Sequence, residues 1–263
     1  MLRNSLAVFM VLWLAGCGLL PEVQDETKGW SAQRLYTEAK DAMANSNYET
    51  AVKYYETLEA RYPYGRYAQQ AQLEVAYAYF KDREPASAIA ACERFIKLHP
   101  NHPNVDYAYY LKGLVNFNED LGFLGYVITQ DLSDRDPKAA REAFESFKDL
   151  ATKYPESKYT PDAIKRMNYL VNALSAHESF VAQYYYRRGA HVAAVNRAQN
   201  LLKTYPNTPA TEDALAVLVR SYAAMGLNDL SKDSQRVLEK TFPNSPYLKG
   251  APVGLTKAWW RFW

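Results

Sequence analysis

Five times along the chain an aromatic residue or histidine is followed by proline, and the residues upstream of each pair keep a common register. The pairs are Tyr62-Pro63, His99-Pro100, Tyr154-Pro155, Tyr205-Pro206 and Phe242-Pro243. Twelve residues before the prolines stand Ala51, Ala88, Ala143, Ala194 and Ser231, and eight before them Tyr55, Cys92, Phe147, Ala198 and Gln235. Tyr79, Tyr185 and Tyr222 lie twenty-one before three of the prolines, and Gly189 and Gly226 lie seventeen before the last two. Small residues at fixed places let two helices approach closely, glycine opens the turn between them, and proline ends the second helix. Such a chain folds as a stack of units in which each unit covers only its neighbours.

The pattern resembles the tetratricopeptide repeat: helix, tight turn, helix, proline. The prolines are spaced 37, 55, 51 and 37 residues apart. The 51 exceeds 37 by about four helical turns, and residues 162–188 hold no glycine or proline, so the first helix of the fourth repeat is expected to be lengthened. The 55 also leaves room for extra turns. However, Asp120-Leu121-Gly122-Phe123-Leu124-Gly125 and Ser133-Asp134-Arg135-Asp136-Pro137 carry loop chemistry, which predicts an inserted loop over 119–135. Asp136-Pro137, Thr160-Pro161 and Thr208-Pro209 read as N-caps before a proline at the first helical position. The expected fold is all-α, a solenoid of five helix pairs in a right-handed superhelix over residues 31–243. Its ten helices fall at 31–45, 48–62, 67–81, 85–98, 104–118, 137–153, 161–187, 190–204, 209–224 and 228–241, with the first helices lining a concave face.

The N-terminus carries an address rather than a fold. One charge, Arg3, precedes the apolar run Leu6 to Leu14, and nine residues rise only about 14 Å as a helix, too short to cross a bilayer. A short apolar region followed by small residues reads as an export signal over 1–16. Leu14-Ala15-Gly16-Cys17 resembles the lipobox of bacterial lipoproteins. That resemblance implies cleavage before Cys17, a diacylglycerol on its thiol and an acyl chain (palmitate) on its new amine. Several acyl chains exceed the one-chain threshold for durable anchoring. Gly18, where aspartate would favour retention at the inner membrane, points to the outer membrane, at its periplasmic face. Residues 17–30 then serve as acylated terminus and tether. Cys92 is left without a cysteine partner despite an oxidising compartment.

Catalysis finds little footing in these residues. The four histidines are His99, His102, His177 and His191; no two have metalloprotease spacing, and no Cys/His cluster suits zinc. No metal, cofactor or enzymatic activity is expected. His99 fills a slot that tyrosine or phenylalanine fills elsewhere, which gives it a structural reading, and Cys92 reads as a buried packing thiol. With 31 Lys+Arg against 29 Asp+Glu the formal charge is only +2, so no nucleic-acid partner is expected. The 22 tyrosines suit aromatic packing and recognition surfaces. They cluster so tightly that no helix can bury every ring, and Tyr64, Arg66, Tyr67 and Tyr107 are candidates for contact with a bound peptide. Residues 179–211 contain no acid, while Arg187, Arg188, Arg197 and Lys203 supply four positive charges, a candidate docking surface for an acidic partner.

Taken together, the lipobox, the repeats and five local signatures resemble the BamD (ComL) family of outer-membrane β-barrel assembly lipoproteins over about residues 14–242. The signatures are Arg61-Tyr62-Pro63-Tyr64-Gly65, His102-Pro103-Asn104 with Asp106-Tyr107, Ser133-Asp134-Arg135-Asp136-Pro137, Arg188-Gly189-Ala190, and Val195-Asn196-Arg197. The resemblance implies a non-enzymatic subunit of the barrel assembly machinery, partnered by accessory assembly lipoproteins. It also implies that the C-terminal repeats dock on a periplasmic domain of the BamA-like barrel subunit, and that the N-terminal repeats receive unfolded barrel precursors. An alternative is another repeat lipoprotein, pilotin-like or a cell-wall-associated scaffold, and the inserted loop argues for the first reading. One departure from the shared pattern is the tail 244–263, which ends Trp259-Trp260-Arg261-Phe262-Trp263. It could cap the last repeat, rest among lipid headgroups, or occupy a precursor-binding groove as a mimic.

Overall fold

A computed structural model describes residues 25–121 and 137–253, with backbone alone for 118–121. The export segment 1–16, Cys17 and the tether to residue 24, the insert from 122 to 136, and residues 254–263 lie outside the described residues. Ten α-helices and one 3-10 turn account for the regular structure of the rest. The helices are α1 (Ala32–Ala44), α2 (Tyr48–Arg61), α3 (Arg66–Lys81), α4 (Pro85–Leu98), α5 (Val105–Leu121), α6 (Lys138–Lys153), α7 (Thr160–Arg187), α8 (His191–Thr204), α9 (Ala210–Ala224) and α10 (Asn228–Thr241). The 3-10 turn is Pro246–Lys249. Each helix packs on the next in sequence, and first helices also touch across the stack at α1–α3, α3–α5 and α7–α9. This is an all-helical array of five stacked pairs. The lengthened helix is present as α7, 28 residues long.

Local physics explains the recurrence. All five residues that precede the register prolines are helix C-caps, with φ between −132° and −129° and ψ between 56° and 68°. A following proline excludes the α conformation at its predecessor, so the second helix of every pair stops at the same place. The turns inside four pairs also share one form, with Ser46, Arg83, Gly189 and Gly226 at φ of 59°, 64°, 74° and 75°. After each of these residues an amide closes on the slot twenty-one before the proline. The bonds are Asn47 N–H to Ala42 O (2.9 Å), Glu84 to Tyr79 (2.9 Å), Ala190 to Tyr185 (3.0 Å) and Leu227 to Tyr222 (2.9 Å). These are Schellman closures, which satisfy carbonyls the helix end leaves open.

Two expectations need correction. Helix α5 runs to Leu121, three residues past its expected end, because Asn118-Glu119-Asp120-Leu121 contains neither proline nor glycine. Residues 119–121, expected to open the inserted loop, are therefore helical, and the rest of that expected loop lies outside the described residues. Thr160 and Thr208 do not act as N-caps. Thr160 lies inside α7, and its hydroxyl donates to the Tyr154 carbonyl at 2.8 Å; the Thr208 hydroxyl donates to the Tyr205 carbonyl at 3.0 Å. Each hydroxyl thus closes the end of the preceding helix, where an exposed carbonyl competes for it.

The core is a seam of small and large apolar side chains along the pair interfaces. Its second-helix components are periodic: Ala51/Tyr55/Leu58, Ala88/Cys92/Phe95, Ala143/Phe147/Leu150 and Ala194/Ala198/Leu201 are all fully buried. Gly113 marks one close approach, since a Cβ there would lie closer than 3.0 Å to three ring carbons of Phe147. At the N-terminal end Arg61 contacts the Asp25 carboxylate and donates to the carbonyl (2.5 Å) and hydroxyl (2.8 Å) of Thr27. The Tyr62 hydroxyl donates to the Trp30 carbonyl at 2.8 Å. The Arg61-Tyr62 pair thus seats residues 25–30 against the first repeat.

Candidate functional site

The N-terminal candidates divide. Gly65, at φ 97°, lets the chain leave Pro63 and enter α3, and this turn thrusts Tyr64 into solvent, 90% exposed. Arg66 opens α3 with its guanidinium 5.1 Å above the Tyr67 ring, and Tyr67 packs against Tyr36 of α1 at 5.5 Å. Tyr64, Arg66 and Tyr67 thus stand at one aromatic-cationic corner, the first two exposed and Tyr67 half-buried. Tyr107 is not part of it. It lies near the start of α5, half-buried, with its ring 5.4 Å from Tyr159, and burial lifts its hydroxyl well above the usual tyrosine range.

Tyr107 belongs instead to a second aromatic cluster between α5 and α7. Tyr110 stacks on Tyr159 at 4.8 Å and donates to Asp162 Oδ2 at 2.7 Å. Arg166 Nε donates to the same oxygen at 2.6 Å, and its guanidinium lies 4.9 Å from the Phe117 ring. These bonds, Arg166 foremost, hold the Asp162 carboxyl below its ordinary range. Tyr159, Asp162 and Arg166 were not among the sequence candidates. Tyr159 stands four residues after Pro155, as Tyr67 stands four after Pro63, so counting forward from the prolines would have found it.

The basic candidates also fail to make one patch. Arg187 ends α7, and Arg188 caps it with its guanidinium 5.5 Å from the Tyr184 ring. Lys203 is exposed about 18 Å farther along α8, from the helical rise of 1.5 Å per residue. Arg197, between them, donates Nη1 to Glu178 Oε2 at 3.1 Å, and Arg141 of α6 meets the other carboxylate oxygen at 3.5 Å. The Glu178 side chain is only 4% exposed. One acid just outside the acid-free stretch therefore shares the charge of Arg197. What the α7–α8 corner adds is apolar surface: Phe180 and Tyr184, one turn apart on α7, and Val192 near the start of α8 are all exposed, Tyr184 beside Arg188. Exposed aromatic side chains next to arginine have the composition of interface anchors.

His99 and the thiol are structural. His99 Nε2 lies 2.6 Å from Gln72 Oε1, and its ring packs on Phe95 at 5.2 Å. Cys92 is fully buried, and burial pushes its thiol up to about 12, so it is a poor nucleophile near neutral pH. Among the described residues no group of three His, Cys, Asp or Glu could hold a metal ion, and no helix is long and apolar enough to cross a membrane.

The chain is similar to several known proteins. A family model described as outer membrane lipoprotein (YfiO) matches residues 29–238. The outer membrane protein assembly factor BamD of Neisseria meningitidis serogroup A is 49% identical over 266 residues, covering all of both chains. The factor of the same name from Xylella fastidiosa (strain Temecula1) is 39% identical over 94% of this chain and 85% of its own. That of Vibrio cholerae is 37% identical over 86% and 92%. Among solved structures, the MamA protein aligns over 84% of this chain and 98% of its own, with a TM-score of 0.38 and 15% identity.

Proposed function

The chain belongs to the BamD (YfiO) family of outer-membrane assembly lipoproteins, and from that premise we propose that it is a non-enzymatic, lipid-anchored scaffold subunit of the β-barrel assembly machinery. The carrying observation is the full-length identity of 49% to an assembly factor. The chemistry of the repeats supports it: a buried thiol that burial holds protonated, a packed His99, and aromatic and cationic corners at two places in the array. In this reading Cys17 carries the acyl chains and holds the protein on the periplasmic face of the outer membrane. The corner of Tyr64, Arg66 and Tyr67 meets unfolded barrel precursors, and Tyr107 supports the neighbouring aromatic cluster. The α7–α8 corner, with Arg187, Arg188, Phe180 and Tyr184, docks on a BamA-like barrel subunit, with Arg197 and Lys203 at its margin.

The test is co-purification. The tagged chain, extracted from outer membranes in mild detergent, is expected to bring down a barrel subunit and accessory lipoproteins. Arg188→Glu should weaken that capture while leaving the circular dichroism spectrum unchanged, and Cys17→Ser should remove the protein from the membrane fraction. Recovery with no barrel protein would overturn the scaffold reading. Undiminished capture by Arg188→Glu would move the docking surface elsewhere.

A further inference from the structure

The last repeat contains a seat that nothing described fills. In α2, α4, α6 and α8 the residues twelve, eight and five before the proline are fully buried, enclosed between the first helix of their own pair and that of the next. The same three positions in α10 are Ser231, Gln235 and Leu238; Ser231 is half-buried, Gln235 is exposed, and Leu238 is the only buried residue of that helix. These side chains, with Arg220 and Ala223 of α9 and with Tyr247 of the 3-10 turn, line a cleft of about 330 Å³. It occupies the place that the first helix of a sixth repeat would take. Leu230 and Val237, each one residue back from Ser231 and Leu238 and so about 100° round the helix, remain 47% and 48% exposed. An end repeat needs a cover, and this seat, part apolar and part polar, offers one both contact area and hydrogen-bond partners.

The chain itself is delivered to the edge of this seat. After the 3-10 turn, Gly250 takes φ 89°, and Val253 is buried in the C-terminal core cluster beside Tyr247. Residues 254–263 follow, Gly-Leu-Thr-Lys-Ala-Trp-Trp-Arg-Phe-Trp, with four aromatic rings in the last five positions. Ten residues reach up to about 33 Å when extended, more than the roughly 21 Å length of a 14-residue helix such as α10. The seat also suits an indole, which is apolar but needs an acceptor for its N–H. The Gln235 amide nitrogen already donates to Glu239 at 2.8 Å, which leaves its carbonyl oxygen to accept. We propose that residues 254–263 fold back onto this same chain as its terminal cap, with Trp259 or Trp260 filling the cleft between α9, α10 and the 3-10 turn.

The experiment uses the full chain in detergent and two variants, Trp259→Ser/Trp260→Ser and Ala223→Phe, the second filling the cleft from within. Hydrogen exchange at α10 and acrylamide quenching of tryptophan fluorescence are measured for each. The double serine variant should exchange its α10 amides about tenfold faster while α1–α4 are unchanged. Ala223→Phe should displace the tail and raise quenching toward that of the denatured chain. Unchanged α10 exchange in the serine variant, or unchanged quenching in Ala223→Phe, would overturn the proposal. So would protection that appears only at concentrations where the chain dimerises, or only when phospholipid vesicles are added, because the occupant would then be a second copy or a membrane.

Discussion

Glu178 offers the sharpest quantitative test of how the array is held together. Its carboxylate is buried between two guanidinium groups that come from different helices, Arg141 of α6 and Arg197 of α8. At about 4 Å and an effective dielectric of about 20, each pair gains roughly 4 kcal/mol of Coulomb energy, most of it cancelled by desolvation of the acid. The two arginines are themselves 54% and 45% exposed, so replacing one leaves the other in place and water close by. Arg141→Met or Arg197→Met should therefore cost only about 1 kcal/mol. Replacing both leaves a buried carboxylate with neither guanidinium and should cost about 3–5 kcal/mol. At about 2–4 °C per kcal/mol for a domain of this size, the double variant should melt roughly 6–20 °C lower and the singles about 2–4 °C lower. Adding Glu178→Gln to the double variant should recover most of the loss, since the charge that lacks a partner is then gone. Thermal melts followed by circular dichroism at neutral pH measure all four proteins. Single costs that simply add to the double, or a triple variant that recovers nothing, would show that Glu178 is not a shared buried anion. The same reasoning makes Arg197 a poor place to test docking, because its reversal disturbs α7 as well as any partner.

Two further outcomes follow from the packing and the electrostatics. Gly113→Ala should lower stability by about 1–3 kcal/mol, although alanine is the better helix former, because the added methyl meets the fully buried Phe147 ring; a melting temperature equal to or above the parent's would contradict the close approach. Asp162 has a folded pKa below its unfolded value, so its contribution is complete above about pH 4 and is lost as pH falls through the lower folded value. Asp162→Asn should therefore flatten the acid limb of stability measured by urea titration, and an acid limb that keeps its slope would contradict the Asp162–Arg166–Tyr110 bonds.

Much of the fold was legible because its signals are local. A proline restricts the residue before it whatever surrounds it, and five such restrictions in register located nine of the ten helices to within a residue at either end. The misses share a cause. Glycine marked two of the four left-handed turns, but Ser46 and Arg83 hold the same conformation, because the Schellman bonds and the packed pair outweigh the local strain. Thr160 and Thr208 looked like caps for the helix ahead and instead close the helix behind, a choice between two nearby acceptors and donors that sequence order leaves open.

The candidate sites were less legible, since they depend on which helices become neighbours. Composition marked residues 179–211 as basic, yet the charge of Arg197 is shared by Glu178, nineteen residues earlier on another helix. Arg66 and Tyr67 are adjacent in the chain and pair locally, with Tyr64 two residues before them, whereas Tyr107 joined Tyr110, Tyr159, Asp162 and Arg166, of which the last three lie about fifty residues away in the chain. From the residues alone come the helix pairs, their number and their stacking, because each follows from backbone sterics and from small side chains at a fixed spacing. Stacking alone decides which charges are shared, which rings stay in water and where the described helices leave a cleft, because burial and pairing belong to surfaces that exist only once the helices have met.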